Sequence, residues 1–347
     1  MNELLKKLPD ISALTKSEML DMLLKEEYGT LPSRPYSVSA ELESCDENFC
    51  AGNAELKKLR FTCKADFGEY TFPLYYVCPK GKNEPVPAFV HINFRDLIPD
   101  RYQPTEEIID EGYATLTFCY KDVSSDDGDF SNGLAGVVYP DGIQSENGCG
   151  KIGLWAWAAS AVMDYAQTLP ELDHARISVT GHSRLGKTAL LAGAIDERFF
   201  CAFSNDSGCS GASISRESYG ETIEVITRVF PYWFCKNYRK YANNEDTLPF
   251  DQHYLIAANV PHRVYVASAE LDDWACPRNE YLSCVAASKY YEDHTGSGFV
   301  APVQMPKSGD FFHEGNIGYH IRSGKHYQGR ADWIRYIQYL NSCEERA

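Results

Sequence analysis

The sequence predicts an α/β fold: a mostly parallel central sheet flanked by helices, with loop insertions, in one domain over residues 1–347. Compact apolar runs at 88–92, 114–118 and 176–180 alternate with stretches of helical spacing, the rhythm of strand–helix–strand units buried on both faces. No internal repeat, low-complexity tract or linker divides the chain. A composition of 44% hydrophobic and 24% charged residues supplies a large core and carries no signature of disorder.

Residues 1–34 have the leucine spacing of a short helical extension and end at the turn-forming Pro32-Ser33-Arg34-Pro35. Alternating segments at 36–42, 59–65 and 69–77 read as an antiparallel, hairpin-rich start to the sheet. The parallel part follows, with strands at 88–92 and 114–118 around a helix at 106–111. Residues 121–151 are rich in Ser, Asp, Gly and Asn and read as a loop insertion over one edge of the sheet. Long loops inside a compact domain are more often functional than incidental. Helices are predicted at 152–166, 187–197 and 280–291, and strands at 176–180, 200–203 and 262–269. An amphipathic helix carrying Trp333, Tyr336, Ile337 and Leu340 closes the chain.

Charge and cysteine content narrow the function. Acidic residues outnumber basic ones by 49 to 33, for a net charge of −16, and a field of that sign repels phosphate backbones, so no nucleic-acid partner is expected. No apolar stretch approaches the roughly 18 residues of a membrane span, so no membrane association is expected. The start of the chain has no apolar run that would serve as a signal-peptide core, and the 12 cysteines include no CxxC pair. These features read as reduced core cysteines in a cytoplasmic protein.

The strongest local signal is Thr180-Gly181-His182-Ser183-Arg184-Leu185-Gly186-Lys187, where a β-rich run meets a helix across a Gly-x-Ser turn. Such a turn lifts the serine hydroxyl above the sheet edge, close to helix N-terminal N–H groups that can receive an oxyanion. Gly181 is required because the turn crowds the backbone. Gly186 stands one position later than the usual second glycine. The plainer reading of the same residues is an ordinary helix N-cap. A serine nucleophile needs a base and an acid at later strand ends. His326, in a loop-like stretch before the last helix, is the candidate base, with His320 and His313 as competitors. Glu270 ends the strand at 262–269 and is one candidate acid, with Asp272 and Asp273 directly after it. Asp206, after the strand at 200–203, is the other.

The elbow GHSRLGK, the segments SNDSGCSGAS and AELDDWACPRNEY, the motif FPYWF at 230–234 and the closing RSGKH together resemble the bacterial branch of carbohydrate esterase family 15, the glucuronoyl esterases. The resemblance runs from about residue 92 to residue 333. It implies an α/β-hydrolase fold and a serine esterase that needs no metal or cofactor. Such an enzyme cleaves the ester of a glucuronic acid carboxylate, as a 4-O-methyl-glucuronoyl methylesterase does. Carried over by position, Ser183 is the nucleophile, His326 the base and Arg184 part of the oxyanion hole. Lys187, Glu221 and Trp274 are sugar-binding residues, and the acid is Glu270 at the ordinary position or Asp206 at the alternative one. A fixed cation at Arg184 would stabilise the developing oxyanion, and loss of such a donor costs roughly 3 kcal/mol. Two departures stand out: His182 occupies a position that is Cys in fungal members, and Leu185 replaces a small or polar residue. Family members that work on plant walls are exported, so the expected partner here is a small uronate ester or oligosaccharide. Two further readings are a deacetylase of xylo-oligosaccharides with the same triad and a non-catalytic carbohydrate-binding protein.

Overall fold

Ten strands form a single sheet in the computed structural model of the chain, which describes residues 2–302 and 304–344. They are β1 (Ser37–Phe49), β2 (Ala54–Ala65), β3 (Gly68–Pro79), β4 (Val86–Asn93), β5 (Ala114–Cys119), β6 (Leu172–His182), β7 (Cys201–Asn205), β8 (Arg263–Ala269), β9 (Phe311–Phe312) and β10 (Ile317–Arg322), in the spatial order β1-β2-β3-β5-β4-β6-β7-β8-β10-β9. The strands from β5 through β10 in that order are parallel neighbours, flanked by the antiparallel β1–β3 on one side and the short β9 on the other. The mostly parallel α/β sheet flanked by helices is thus as the sequence predicts.

The buried strands alternate between two cores. Val90, Val179, Val264 and Val266 face one, while Phe89, Phe203, Tyr265 and Ala267 face the other. Five helices of eight residues or more lie among the described residues: α1 (Lys16–Leu23), α2 (Lys151–Ala166), α3 (Arg184–Ile195), α4 (Pro277–Thr295) and α5 (Arg330–Glu344). Helix α2 is buried on nearly every side, as its all-round apolar composition demands, and packs on α3. Helix α5 covers the opposite face, where Tyr336 and Tyr339 pack on Phe203 and Tyr265 and Trp333 packs on Phe89.

Three elements differ from expectation. Strands β1 and β2 run well past the predicted segments, because backbone pairing continues to Phe49↔Ala54 through polar residues that face solvent. Strand β10 is not among the predicted strands, since Gly318, His320 and Arg322 interrupt its apolar run. The 121–151 segment lies against β3 and α2, inside the sheet order and not on an edge. The Tyr70 hydroxyl of β3 donates to the Asp122 carbonyl at 2.6 Å, and Lys151 Nζ donates to Ser124 Oγ at 3.0 Å and the Asp129 carbonyl at 2.7 Å. Buried Lys151 is pushed down to about 8 by desolvation, against the neighbouring aspartates.

Candidate active site

Strand β6 ends at His182 and α3 begins at Arg184, which leaves Ser183 as the whole turn. Its backbone sits at φ 59°, ψ −126°, a conformation that costs a residue with a side chain on the order of 1–3 kcal/mol. The surroundings hold it there. The Ser183 N–H donates to the Asn205 carbonyl at 2.8 Å, and the Asn205 side chain accepts from His182 Nδ1 at 2.6 Å. A Cβ at Gly181 would stand 2.3 Å from the Leu185 carbonyl oxygen, and one at Gly186 3.1 Å from the Asn205 carbonyl oxygen, so both glycines are dictated by the close strand-to-helix crossing. Burial, then the neighbouring His326, pushes His182 down to about 3, so it is a neutral imidazole. The first N–H groups of α3 lack intrahelical partners and lie beside the serine.

His326 lies in the loop between β10 and α5, its ring centroid 4.4 Å from that of His182, the residue before Ser183. Its Nδ1 meets Asp272 Oδ2 at 2.6 Å. A carboxylate oxygen at that distance accepts the Nδ1 proton and leaves the ring's lone pair on Nε2. The competing histidines belong to the α5 face: His320 Nε2 meets Asp332 at 3.0 Å, and both His320 and His313 meet the Tyr265 hydroxyl, at 3.0 and 2.9 Å.

The acids depart from expectation. Glu270 is exposed, and no hydrogen bond to its carboxylate is found among the described residues, so it does not meet His326. The physical reason is the turn that follows β8. The Asp272 N–H donates to the Ala269 carbonyl at 3.1 Å and the Ala275 N–H to the Asp272 carbonyl at 3.1 Å, which sends residue 270 outward and residue 272 inward. Asp206 is buried, at φ 44°, with its Oδ2 accepting from Arg322 Nη2 at 3.1 Å and the Tyr327 N–H at 3.3 Å. Burial, then the nearby Glu280, pushes its carboxyl well up, against the pull of Arg322. Polar atoms of Asp206, Asp272 and His326 lie within 4.8 Å of one another, the spacing of a small metal site. The Asp272–His326 bond and the Arg322 cation already occupy that cluster.

Arg184, the residue after the serine, is held by one carboxylate and two aromatic rings. Its guanidinium pairs with Asp126 and lies 4.6 Å from the Trp233 ring centroid and 5.3 Å from that of Phe230, two rings stacked at 3.9 Å. Asp126, from the 121–151 segment, also accepts from the Tyr120 hydroxyl at 2.9 Å and from Trp233 Nε1 at 2.8 Å. The FPYWF motif and the insertion therefore converge on one arginine. Lys187 and Glu221 are brought together and buried: Lys187 Nζ donates to the Ser207 and Cys209 carbonyls, both at 2.5 Å, with Glu221 Oε2 at 3.4 Å. Trp274 follows the Asp272 turn and is 52% exposed, an aromatic surface open to solvent. Tyr327, next to His326 in the chain, lines a cavity of about 840 Å³ that also includes Arg95, Leu97 and Arg101.

A serine at a strained strand-to-helix turn, an acid after the following parallel strand but one, and a histidine after the last define the α/β-hydrolase class. Within that class the chain belongs to the glucuronoyl esterase family, carbohydrate esterase family 15: the family model described as glucuronyl esterase, fungi, matches residues 62–295. It is 40% identical over 249 residues to carbohydrate esterase MZ0003 from an unknown prokaryotic organism, an alignment covering 71% of this chain and 57% of that protein. It is 28% identical over 291 residues to the 4-O-methyl-glucuronoyl methylesterase of Podospora anserina, covering 81% of this chain and 56% of that one. The chain thus spans little more than half the length of these curated relatives. The solved glucuronoyl esterase from Solibacter usitatus superposes with a TM-score of 0.85 at 30% identity, over 96% of this chain and 93% of that one.

Proposed function

We propose that the chain is a serine carboxylic-ester hydrolase that cleaves esters of a glucuronic acid carboxylate, of the 4-O-methyl-glucuronoyl methylesterase type. The observation that carries this is the strained Ser183 beside a histidine whose Nδ1 is held by a buried carboxylate, with a fixed guanidinium on the next residue. In the reaction Ser183 Oγ attacks the ester carbonyl carbon while His326 Nε2 takes its proton, and Asp272 stabilises the imidazolium. Arg184 and the first N–H groups of α3 carry the oxyanion charge. Collapse of the tetrahedral intermediate breaks the bond to the alcohol, which leaves with the proton from His326. Water then attacks the acyl-serine by the same route and releases the uronate. Trp274, with the Lys187–Glu221 pair behind it, supports binding of a sugar on the acyl side.

The test is covalent labelling with a fluorophosphonate together with hydrolysis of benzyl glucuronate and p-nitrophenyl acetate. The reading expects an adduct on Ser183 and preference for the uronate ester. An adduct elsewhere, or full activity in Ser183→Ala, refutes it. Preference for the acetate with the adduct on Ser183 favours a deacetylase.

A further inference from the structure

Arg322 is the last residue of β10 and every arm of its guanidinium is in use. Its Nε donates to both oxygens of Asp332, at 3.0 and 3.1 Å. Its Nη1 donates to the Ser323 carbonyl at 3.1 Å. Its Nη2 faces Asp206 Oδ2 at 3.1 Å, the Lys325 carbonyl at 3.2 Å and the Tyr327 carbonyl. The carbonyls on either side of His326 are therefore turned onto one cation, in a stretch with neither helix nor strand. Asp332, fully buried in the first turn of α5, also accepts from Asn205 Nδ2 at 3.1 Å and the Gly329 N–H at 2.8 Å. Asn205 is the same residue that receives the Ser183 N–H and His182. A single buried carboxylate thus ties the nucleophile turn to the loop of the base.

We infer that Arg322 is a positioning residue for His326, its guanidinium holding the 323–327 loop so that the imidazole meets Asp272, and that Asp206 serves the reaction as an anchor of Arg322 and not as a second partner of the imidazole. The inference rests on the serine-esterase reading. His326 Nδ1 is taken by Asp272 at 2.6 Å, whereas the bonds of Asp206 run through Oδ2 to Arg322 and the Tyr327 N–H, both of which fix the loop, and its Oδ1 makes no hydrogen bond among the described residues. Only a planar fork can serve Asp332, Asp206 and three carbonyls together; an ammonium has neither the geometry nor the number of donors. A displacement of about 1 Å in a catalytic group costs on the order of 10²-fold in rate.

The experiment compares Arg322→Gln, Arg322→Lys, Asp206→Asn, Arg322→Lys/Asp206→Asn and Ser183→Ala in the full chain. It measures kcat and KM on benzyl glucuronate, the rate of fluorophosphonate labelling, and thermal melting. Arg322→Gln is expected to lose about 10²-fold in kcat with KM within about threefold, and to slow labelling equally. Arg322→Lys, which keeps the charge, is expected to fold and to recover part of that loss, so it carries the test if the Gln variant does not fold. The double variant is expected to lose no more than Arg322→Lys alone. Wild-type kcat and labelling in a folded Arg322→Lys overturn the inference, as does a loss confined to KM or to melting temperature. Multiplying losses in the double variant overturn the role given to Asp206. Dead Ser183→Ala beside a fully active Arg322→Lys leaves the esterase reading standing while the inference falls; active Ser183→Ala removes both.

Discussion

Asp272→Asn is expected to lower kcat by about 10⁴-fold, or about 5.4 kcal/mol of transition-state stabilisation, while the chain stays folded. The substitution preserves shape and can keep the weak 3.4 Å bond from the Ala275 N–H to Oδ1. What changes is the group facing His326 Nδ1 at 2.6 Å. An amide NH₂ there is a donor, so Nδ1 must carry the lone pair and the proton moves to Nε2. The imidazole then cannot accept the serine proton. Asp206 is expected to give little relief, because Arg322 and the Tyr327 N–H hold its carboxylate through Oδ2 and its Oδ1 makes no hydrogen bond to the imidazole. Glu270→Gln, on an exposed side chain, is expected to stay within about threefold of wild type. The assay is kcat and KM on benzyl glucuronate near neutral pH, with circular dichroism to establish folding. A folded Asp272→Asn within tenfold of wild type, or a larger loss from Glu270→Gln, refutes the argument. So does a further large drop on adding Asp206→Asn, which would mean that the second carboxylate reaches the imidazole directly.

Ser183→Gly is expected to be inactive yet at least as stable as wild type, by about 1 kcal/mol, because glycine relieves the φ of 59°; a lower melting temperature contradicts this. Asp126→Asn frees one side of the Arg184 guanidinium and is expected to lower kcat by about tenfold, below the roughly 3 kcal/mol that marks loss of a whole oxyanion donor; unchanged kcat would show that the Trp233–Phe230 stack alone fixes Arg184. Buried Glu27, whose two oxygens accept from Gln252 Nε2 at 3.3 and 3.1 Å, is raised by burial from 4.5 to about 8. The folded chain keeps that proton after the unfolded chain has shed it, so its contribution is complete below the unfolded value and is lost as pH rises to about 8, by at most ~5 kcal/mol. Glu280, raised to about 7 by burial, acts in the same direction. Glu27→Gln is expected to flatten the fall of melting temperature between pH 5 and about 8, and an unchanged slope would exclude Glu27 as its source.

What could be read from the chain was whatever is encoded locally. The buried strands announce themselves as apolar runs, and the elbow is legible because Gly181 and Ser183 sit two residues apart between a strand and a helix. His326 is legible as a histidine in the last strand-to-helix loop. Asp272 is harder: the sequence offers Glu-Leu-Asp-Asp after β8, and the choice among three carboxylates depends on which way a five-residue turn rolls. That is decided by backbone hydrogen bonds to Ala269 and from Ala275, which no spacing rule contains. Asp126 is a lesser case. Its segment reads as functional from its length, but nothing local distinguishes it from Asp127 or Asp129.

Least legible is the frame beneath the site, because its members are polar residues on separate elements: Asn205 at the end of β7, Arg322 at the end of β10, Asp332 in α5. Each alone resembles a surface residue. Together they account for something the elbow by itself does not explain. A serine at φ 59° persists only if neighbouring contacts over-determine it. The Asn205 carbonyl takes the Ser183 N–H, the Asn205 amide oxygen takes His182, and the Asn205 NH₂ group is held in that orientation by Asp332. Were Asn205 flipped, its oxygen would face the acceptor-only Asp332 carboxylate and the neutral His182 would have to change tautomer to accept from the NH₂. Asp332 therefore sets the amide orientation that supports the strained turn, while through Arg322 it sets the carbonyls around His326. Nucleophile and base arrive on different strands, 143 residues apart in the chain, and their register comes from one carboxylate in the first turn of the last helix.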